Sequence, residues 1–368
     1  MMIRVAIAGQ GRSGHPIHYG VLTNRFRDKF QVVAVADQIE SRTHEANTEV
    51  GARTYADYQD MISAGGFDLL INALPPIHHV SATTQALASG AHVVCEKPIA
   101  PTVADLDLME KAAAEAGRHL IPVQNNRPQP FFRKIREVLD SGVLGKILLV
   151  QSYWGSFRRR WDWQVFQANH GGTMFNTGPH AIDHALLLFG DESEPEVFCR
   201  MDSNNPFGGD ADDQCLITLF DRQRKAPLIE VLISQYLAYS PKRYNICGTH
   251  GGLSGGETEL HWKYFLPEEA PKQALWEKWS VDRVYPEETL PWREESWSPP
   301  TLGNMPAVGY TLQSFLSGVK LFYDNVYDVI ACGAEPEFTV TQARRQLRVM
   351  EECLEQNPLP VKRQIPTK

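Results

Sequence analysis

Gly9-Gln10-Gly11-Arg12-Ser13-Gly14 follows the short apolar run Ile3–Ala8 and leads into a helical pattern, and its reading decides the fold. A Gly-x-Gly-x-x-Gly turn between a buried strand and a helix has the shape that cradles a dinucleotide pyrophosphate. Gly9 permits the tight turn, Gly11 lacks the Cβ that blocks the phosphates, and Gly14 lets the helix approach the sheet. Phosphate oxygens then meet backbone N–H groups at the positive end of that helix. Taken alone the motif fits an ordinary loop equally well, so its context decides. The next apolar run, Val32–Ala36, ends in Asp37, about 20 residues beyond the turn, where ribose recognition needs a carboxylate. A carboxylate there accepts hydrogen bonds from both ribose hydroxyls and repels a 2′-phosphate. Asp37 therefore predicts NAD, while Arg42 nearby keeps NADP open.

The same rhythm continues beyond Asp37. Asp68–Ala73, His92–Cys95 and Leu120–Val123 are further runs of Val, Ile, Leu and Ala, the composition of parallel strands buried on both faces. Helical patterns separate them. In Thr102–Ala116 the apolar residues Val103, Leu106, Met109 and Ala113 share a face, and Thr102 stands where an N-cap belongs. Gly65-Gly66, Gly90 and Gly117 fall where helices stop. This alternation predicts an α/β fold that begins with a Rossmann domain, its parallel sheet covered by helices on both sides.

Around Pro122–Pro130 the pattern changes. Phe131, Ile135, Val138 and Leu139 form a helical stripe, followed by a strand over Ile147–Tyr153. Glu196–Met201, Gln214–Phe220, Ile229–Tyr236 and Tyr244–Cys247 then read as closely spaced strands without long helices between them. They predict a second α/β domain with a large, mostly antiparallel open sheet. The expected division is residues 1–123 for the Rossmann domain and 124–368 for substrate binding and oligomerisation. Residues 265–306 resist assignment; Trp276, Trp279, Trp292 and Trp297 argue that this segment is docked rather than free. Helices over Ala307–Tyr323 and Thr341–Leu354 close the chain, the last one packing back toward the Rossmann domain.

Length and composition agree with two domains. The 368 residues exceed what one core usually holds, and 43% hydrophobic with 22% charged residues is ordinary for a globular protein. A net charge of −8 argues against a nucleic-acid partner, and Arg158-Arg159-Arg160 is too short a run to reverse that. The six cysteines are scattered, with no Cys-x-x-Cys pair, so they read as buried reduced thiols and no metal is expected. The apolar start is too short to span a membrane and lacks a cleavage pattern, which predicts a cytoplasmic protein with no membrane partner.

Two further segments carry chemistry. Cys95-Glu96-Lys97-Pro98 ends a predicted parallel strand, at the sheet edge where α/β proteins place ligands. Gly171-Gly172-Thr173-Met174-Phe175-Asn176-Thr177-Gly178-Pro179-His180-Ala181-Ile182-Asp183 passes from a glycine pair into a helix. With the glycine turn, Ala73-Leu74-Pro75, His79, Asn126-Arg127 and Ser141-Gly142-Val143-Leu144-Gly145-Lys146, these segments resemble the Gfo/Idh/MocA family over nearly the whole chain. That family is named for glucose-fructose oxidoreductase and inositol 2-dehydrogenase.

The resemblance implies a two-domain oxidoreductase, whose substrate lies between the second domain's sheet and the nicotinamide. It implies cofactor contacts from Gly9, Gly11, Arg12, Ser13, Gly14, Asp37, Ala73, Leu74, Pro75, His79, Glu96, Lys97 and Asn126. Lys97 matches the family's catalytic lysine and His180 its histidine. Asn176 stands where many members carry an aspartate, so it orients a substrate hydroxyl but takes no proton. The open sheet implies a homodimer or homotetramer.

Hydride transfer from a secondary alcohol needs a base for the hydroxyl proton. A histidine of ordinary pKa, about 6.5, suits that at neutral pH, and a lysine ammonium stabilises the charge on the same oxygen. The substrates the resemblance implies are sugars, cyclitols and their derivatives. Trp161, Asp162 and Trp163 are candidate contacts within Trp154–Trp163, with Asn176, His180 and Tyr236; His170 and Arg243 are weaker candidates. The Trp/Arg segment fits an interface equally well. Two other functions stay open on the same residues: NAD-dependent glycoside cleavage through transient oxidation, and a non-catalytic ligand sensor.

Overall fold

The computed structural model describes residues 1–362 other than 276, 278, 280–282, 284 and 300–306, and the backbone alone over 307–314. Trp276, one of the four tryptophans of the unassigned segment, lies outside the described residues. Six parallel strands form the first sheet: β1 (Ile3–Ala8), β2 (Phe30–Ala36), β3 (Arg53–Tyr55), β4 (Leu69–Asn72), β5 (His92–Cys95) and β6 (Leu120–Pro122). Their order is β3-β2-β1-β4-β5-β6, so the chain reverses its winding at β1. Ligands of doubly wound sheets sit at that reversal, beyond the carboxyl ends of the strands. The strand ends are level, since Ala8 pairs with Ala36 and Asn72, and Asn72 with Cys95. Gly9, Asp37, Ala73 and Glu96 therefore follow one another along a single edge.

Helices cover both faces: α1 (Gly20–Arg25), α2 (Glu40–Val50), α3 (Tyr58–Ala64), α4 (His79–Ala88) and α5 (Val103–Ala116). Thr102 caps α5 by accepting the Asp105 N–H at 3.1 Å, and Gly117 ends it in the left-handed conformation. The glycine turn opens not on a regular helix but on a wide π-helical turn, Gly14–Tyr19, which buries His18 and then continues as α1.

The second sheet has eight strands: β7 (Ile147–Gly155), β8 (Glu196–Asp202), β9 (Gln214–Phe220), β10 (Leu228–Ser234), β11 (Tyr244–Gly248), β12 (Gly251–Gly255), β13 (Leu260–Tyr264) and β14 (Arg293–Trp297). In the order β14-β13-β12-β11-β7-β10-β9-β8 only β7 and β10 run parallel. The fold is thus α/β, a parallel sheet joined to a mostly antiparallel one. Helices α6 (Pro130–Asp140), α7 (Thr173–Asn176), α8 (Gly178–Phe189) and α10 (Val340–Gln356) supply apolar residues to the core against one face. On the other face Phe198 and Leu216 stand exposed.

Helix α9 (Ala307–Cys332) runs nine residues past its expected end and packs on the first sheet, where Val319, Phe322, Tyr323, Val326 and Val329 join Ile7, Leu22, Phe26 and Ile71 in one core. The chain's last quarter thus completes the face opened by β1 and α1. Strands β3, β12, β13 and β14 lie outside the sequence expectation. A Cβ at Gly251 overlaps the Lys263 carbonyl of the next strand, so close pairing is what requires glycine there.

The expectation of a wholly docked tryptophan segment is corrected. Trp297 ends β14 opposite Leu260, and Trp292 meets Phe265 edge-on at 5.6 Å, but Trp279 is 100% exposed. Among the described residues no helix is long and apolar enough to cross a membrane.

Candidate active site

Backbone geometry sets the edge. Gly9 has φ of +90°, and a Cβ at Gly14 overlaps the Gly9 carbonyl, so the turn closes only with glycine at both positions. At Gly11 a Cβ meets nothing nearer than Arg42 Nη1 at 4.0 Å, leaving open space in front of the turn. Asp37 sits at the end of β2; Oδ2 accepts the Gln10 N–H at 2.8 Å, Oδ1 accepts the Ile39 N–H at 2.9 Å, and Arg42 Nη1 lies 3.4 Å away. The Gln10 side chain is 3% exposed, and among the described residues both its amide atoms lack a hydrogen-bond partner. An orphaned buried amide costs about 1–3 kcal/mol per group, so a polar ligand against this turn relieves it. Open space at Gly11, the level carboxylate of Asp37 and the orphaned Gln10 together fit a dinucleotide.

Glu96 and Lys97 follow β5 on the same edge. Glu96 is buried, its Oε1 accepting His18 Nε2–H at 3.1 Å and its Oε2 the Lys97 N–H at 3.0 Å. His18 Nδ1 in turn lies 2.6 Å from the Tyr323 hydroxyl of α9. Burial alone raises the Glu96 pKa, but the His18 hydrogen bond and the positive charges of His18 and Lys97 outweigh it and hold the carboxyl at about 2. His79 is buried as well, with ring nitrogens 2.8 Å from Pro98 O and 2.9 Å from Leu74 O. Placed between these two carbonyls, it braces the two turns.

The glycine pair delivers the second half. Gly172 has φ of +98° and a Cβ there overlaps the Asp212 carboxylate. Asp212 in turn accepts the Thr173 hydroxyl and, at 2.8 Å, the Met174 N–H. Pinned this way, α7 brings Asn176 to Lys97, whose Nζ donates to Asn176 O at 2.8 Å and to Asn176 Oδ1 at 3.3 Å. Two of the three ammonium donors are thereby used, and one remains. Burial lowers the Lys97 pKa; Glu96 opposes that, while Arg12 and Arg160 add to it.

His180 lies in the first turn of α8, with Nδ1 2.5 Å from Gln124 Oε1. Burial first, then the Lys97 charge, bring its pKa down to about 3. Helix α8 is fixed to the segment that follows the last Rossmann strand by a buried ion pair in which Arg127 donates Nε–H to Asp183 Oδ2 at 3.1 Å. Arg127 also donates to Glu337 O and Gln342 Oε1, both at 2.8 Å. Asn126 beside it accepts His184 Nε2–H through its carbonyl at 3.3 Å.

The remaining candidates ring this centre at greater remove. Trp161 is 75% exposed and meets Phe207 edge-on at 5.8 Å; Trp163 is half-exposed. Asp162 spends both oxygens within its own loop, on Arg160 Nη2 at 2.6 Å and the Gln164 N–H at 3.1 Å. Tyr236 donates its hydroxyl to Asp213 at 2.7 Å, and His170 packs on Phe175 at 5.3 Å. Arg243 lies over Trp154 at 4.2 Å and pairs with Glu257. Gln124, His18, Tyr323 and Asp212 went unremarked in the sequence. Gln124 alone had a local signal, its place just past the edge of the last Rossmann strand.

Comparison with known proteins agrees with this geometry. Residues 3–123 match the model of an oxidoreductase family with an NAD-binding Rossmann fold, and residues 132–254 match the GFO/IDH/MocA C-terminal domain. The chain is 27% identical over 274 residues to an uncharacterized oxidoreductase of Schizosaccharomyces pombe, covering 70% of this chain and 73% of that one. It is 28% identical over 191 residues to a scyllo-inositol 2-dehydrogenase (NADP(+)) of Bacillus subtilis, covering 51% and 52%. Its fold is similar to that of the WlbA dehydrogenase from Bordetella pertussis in complex with NADH and UDP-GlcNAcA, with a TM-score of 0.72, 21% identity and coverage of 96% and 95%.

Proposed function

The chain belongs to the Gfo/Idh/MocA family of NAD-binding oxidoreductases, and from that premise we propose that it moves a hydride between NAD(H) and a secondary hydroxyl of a sugar, cyclitol or sugar derivative. One observation carries the reading: Lys97 of the Rossmann edge bonds Asn176, four residues before His180, across 79 positions of sequence. Gly9, Gly11, Arg12, Ser13 and Gly14 would hold the cofactor's phosphates and Asp37 its ribose, with Ala73, Leu74, Pro75 and Asn126 along the same edge. When bound, the nicotinamide supplies the hydride acceptor or donor.

The chain's own residues handle the proton. His180 takes it from the substrate hydroxyl at Nε2, the ring nitrogen turned away from Gln124. The third Nζ–H of Lys97 holds the same oxygen and stabilises its developing charge. Asn176, its Oδ1 committed to Lys97, has Nδ2 left to orient a neighbouring hydroxyl. Because burial disfavours charge on Lys97 and His180 together, a proton taken by His180 is readily passed on or returned.

Cyclitol or sugar substrates are supported by the B. subtilis relative, and the aromatic rim of Trp161, Trp163 and Phe207 supplies apolar faces for a ring. Asp37, held by Gln10 and Ile39, favours NAD. The exposed Phe198 and Leu216 of the open sheet fit a contact with a second copy of this chain, and six free cysteines fit a reducing cytoplasm. The test is a screen of NAD and NADP reduction against sugars, cyclitols and glycosides, with Lys97→Met as the blank. Net NADH formation with one class supports the reading. Glycoside cleavage without net NADH replaces it with a lyase or hydrolase, and no turnover with any class removes it.

A further inference from the structure

His180 and its neighbours hold a second layer of order. Gln124 Nε2 donates to Pro179 O at 3.1 Å, and Gln346 Nε2 of α10 donates to the same carbonyl. A backbone carbonyl only accepts, so Gln124 must turn its NH2 toward Pro179 and its Oε1 toward His180. That Oε1 also only accepts, and it lies 2.5 Å from His180 Nδ1. Nδ1 must therefore carry the hydrogen. A neutral imidazole has one N–H, which leaves Nε2 with a bare lone pair; among the described residues Nε2 has no hydrogen-bond partner.

We propose that Gln124 is a positioning residue that fixes His180 in the Nδ1–H tautomer, so that Nε2 is the atom that takes and returns the substrate proton. This rests on the reading of His180 as the base. Pro179 and Gln346 form the anchor: the carbonyl is fixed at the start of α8, and Gln346, 3% exposed, ties it to α10. A neutral amide is the right partner here. A carboxylate at this place draws His180 toward the imidazolium, which is no base, whereas an amide holds the ring without charging it. The other groups that bear on the ring are Lys97 and Glu96 at the end of β5, Arg243 at β11 and His184 one turn along α8. Lys97 and Arg243 add to the burial that keeps the ring neutral, and Glu96 opposes them.

The test follows the ring itself. In the full-length protein labelled with 15N at histidine, the His180 signal, assigned by its loss in His180→Asn, should report one neutral Nδ1–H form from pH 5 to 8. Gln124→Met removes the acceptor without adding charge. The Nε2–H form should then appear, and kcat/KM for the substrate found in the screen should fall about 10- to 1000-fold, with the Kd for NADH within about twofold. Gln124→Glu restores an acceptor and adds charge while giving up the donation to Pro179 O, which Gln346 still makes. It should recover most of the rate at high pH while moving the acid limb of kcat/KM upward into the range pH 5 to 8. A His180 signal that stays Nδ1–H in Gln124→Met, or an acid limb unmoved in Gln124→Glu, overturns the proposal. Full turnover in His180→Asn overturns instead the reading of His180 as the base, and the tautomer signal of the wild-type ring still judges Gln124.

Discussion

Lys97, which bonds Asn176, and His180, four residues further on, are supported in opposite ways. Behind Lys97 stands a buried carboxylate, Glu96, with one oxygen on the Lys97 backbone and the other on His18, which reaches Tyr323. Behind His180 stands an uncharged amide, Gln124, itself anchored on a backbone carbonyl. The difference is informative because burial disfavours charge on both groups. The Rossmann side supplies a negative charge that offsets the cost of an ammonium, while the second domain supplies an uncharged amide and the Arg243 charge, which with burial keep the imidazole neutral. On the proposed reading, a pair built this way would present one positive charge and one free lone pair to the same oxygen. Breaking either support should show on which side of the cleft the chemistry depends more.

The largest effect should come from the charged side. Lys97→Met removes the ammonium bonded to Asn176. We expect turnover to fall by two orders of magnitude or more, about 3 kcal/mol of transition-state stabilisation. NADH affinity, measured by fluorescence titration, should stay within a few fold. A rate within tenfold of wild type would falsify the assignment of Lys97 to the reacting oxygen.

Glu96→Gln tests the support without removing the lysine. With a pKa of about 2 in the folded protein against an ordinary 4.5, Glu96 contributes stability that is fully present above pH 4.5 and lost as pH falls through 2. The variant should therefore unfold about 3 kcal/mol more easily at pH 7, and that difference should shrink between pH 4.5 and 2, measured by urea denaturation across the range. Lys97 loses the charge that raises its pKa, so the alkaline limb of kcat should move to lower pH. A constant stability difference from pH 7 to 3 would show that the lost interaction is not ionic.

These supports also mark where sequence reading ends. The first sheet was legible because β1, β4 and β5 are continuous apolar runs and Gly9 and Gly14 each carry a steric requirement. Lys97, Asn176 and His180 stand in recognisable segments for the same reason, being local. Strands β12 and β14 were not legible: one is glycine-rich because its neighbour is close, and the other, Arg293-Glu294-Glu295-Ser296-Trp297, is charged because it is an exposed edge. The residues behind the site were hidden for a different reason. Tyr323 lies 305 positions from His18, and Gln124 lies 56 from His180. No local pattern in either member announces such a pair. Trp279 shows the converse, a large apolar residue that stands exposed.

The smallest expected effect belongs to Asn176, the residue that touches both sides. Its Oδ1 already accepts from Lys97, so Asn176→Asp keeps the geometry and adds one negative charge. That charge favours the ammonium, so the Lys97 pKa rises and the alkaline limb of kcat moves to higher pH. It also sits one helical turn from His180 and favours imidazolium, so the acid limb should rise as well. The two shifts have opposite consequences for the rate: more enzyme carries the ammonium at high pH, and less carries the free lone pair at low pH. Near neutrality they largely cancel, leaving kcat within about tenfold of wild type, or roughly 1.4 kcal/mol. What should move is the whole pH profile, upward on both sides. If only the alkaline limb moves, the added charge is felt by Lys97 alone, and the cleft's two supports are electrostatically separate.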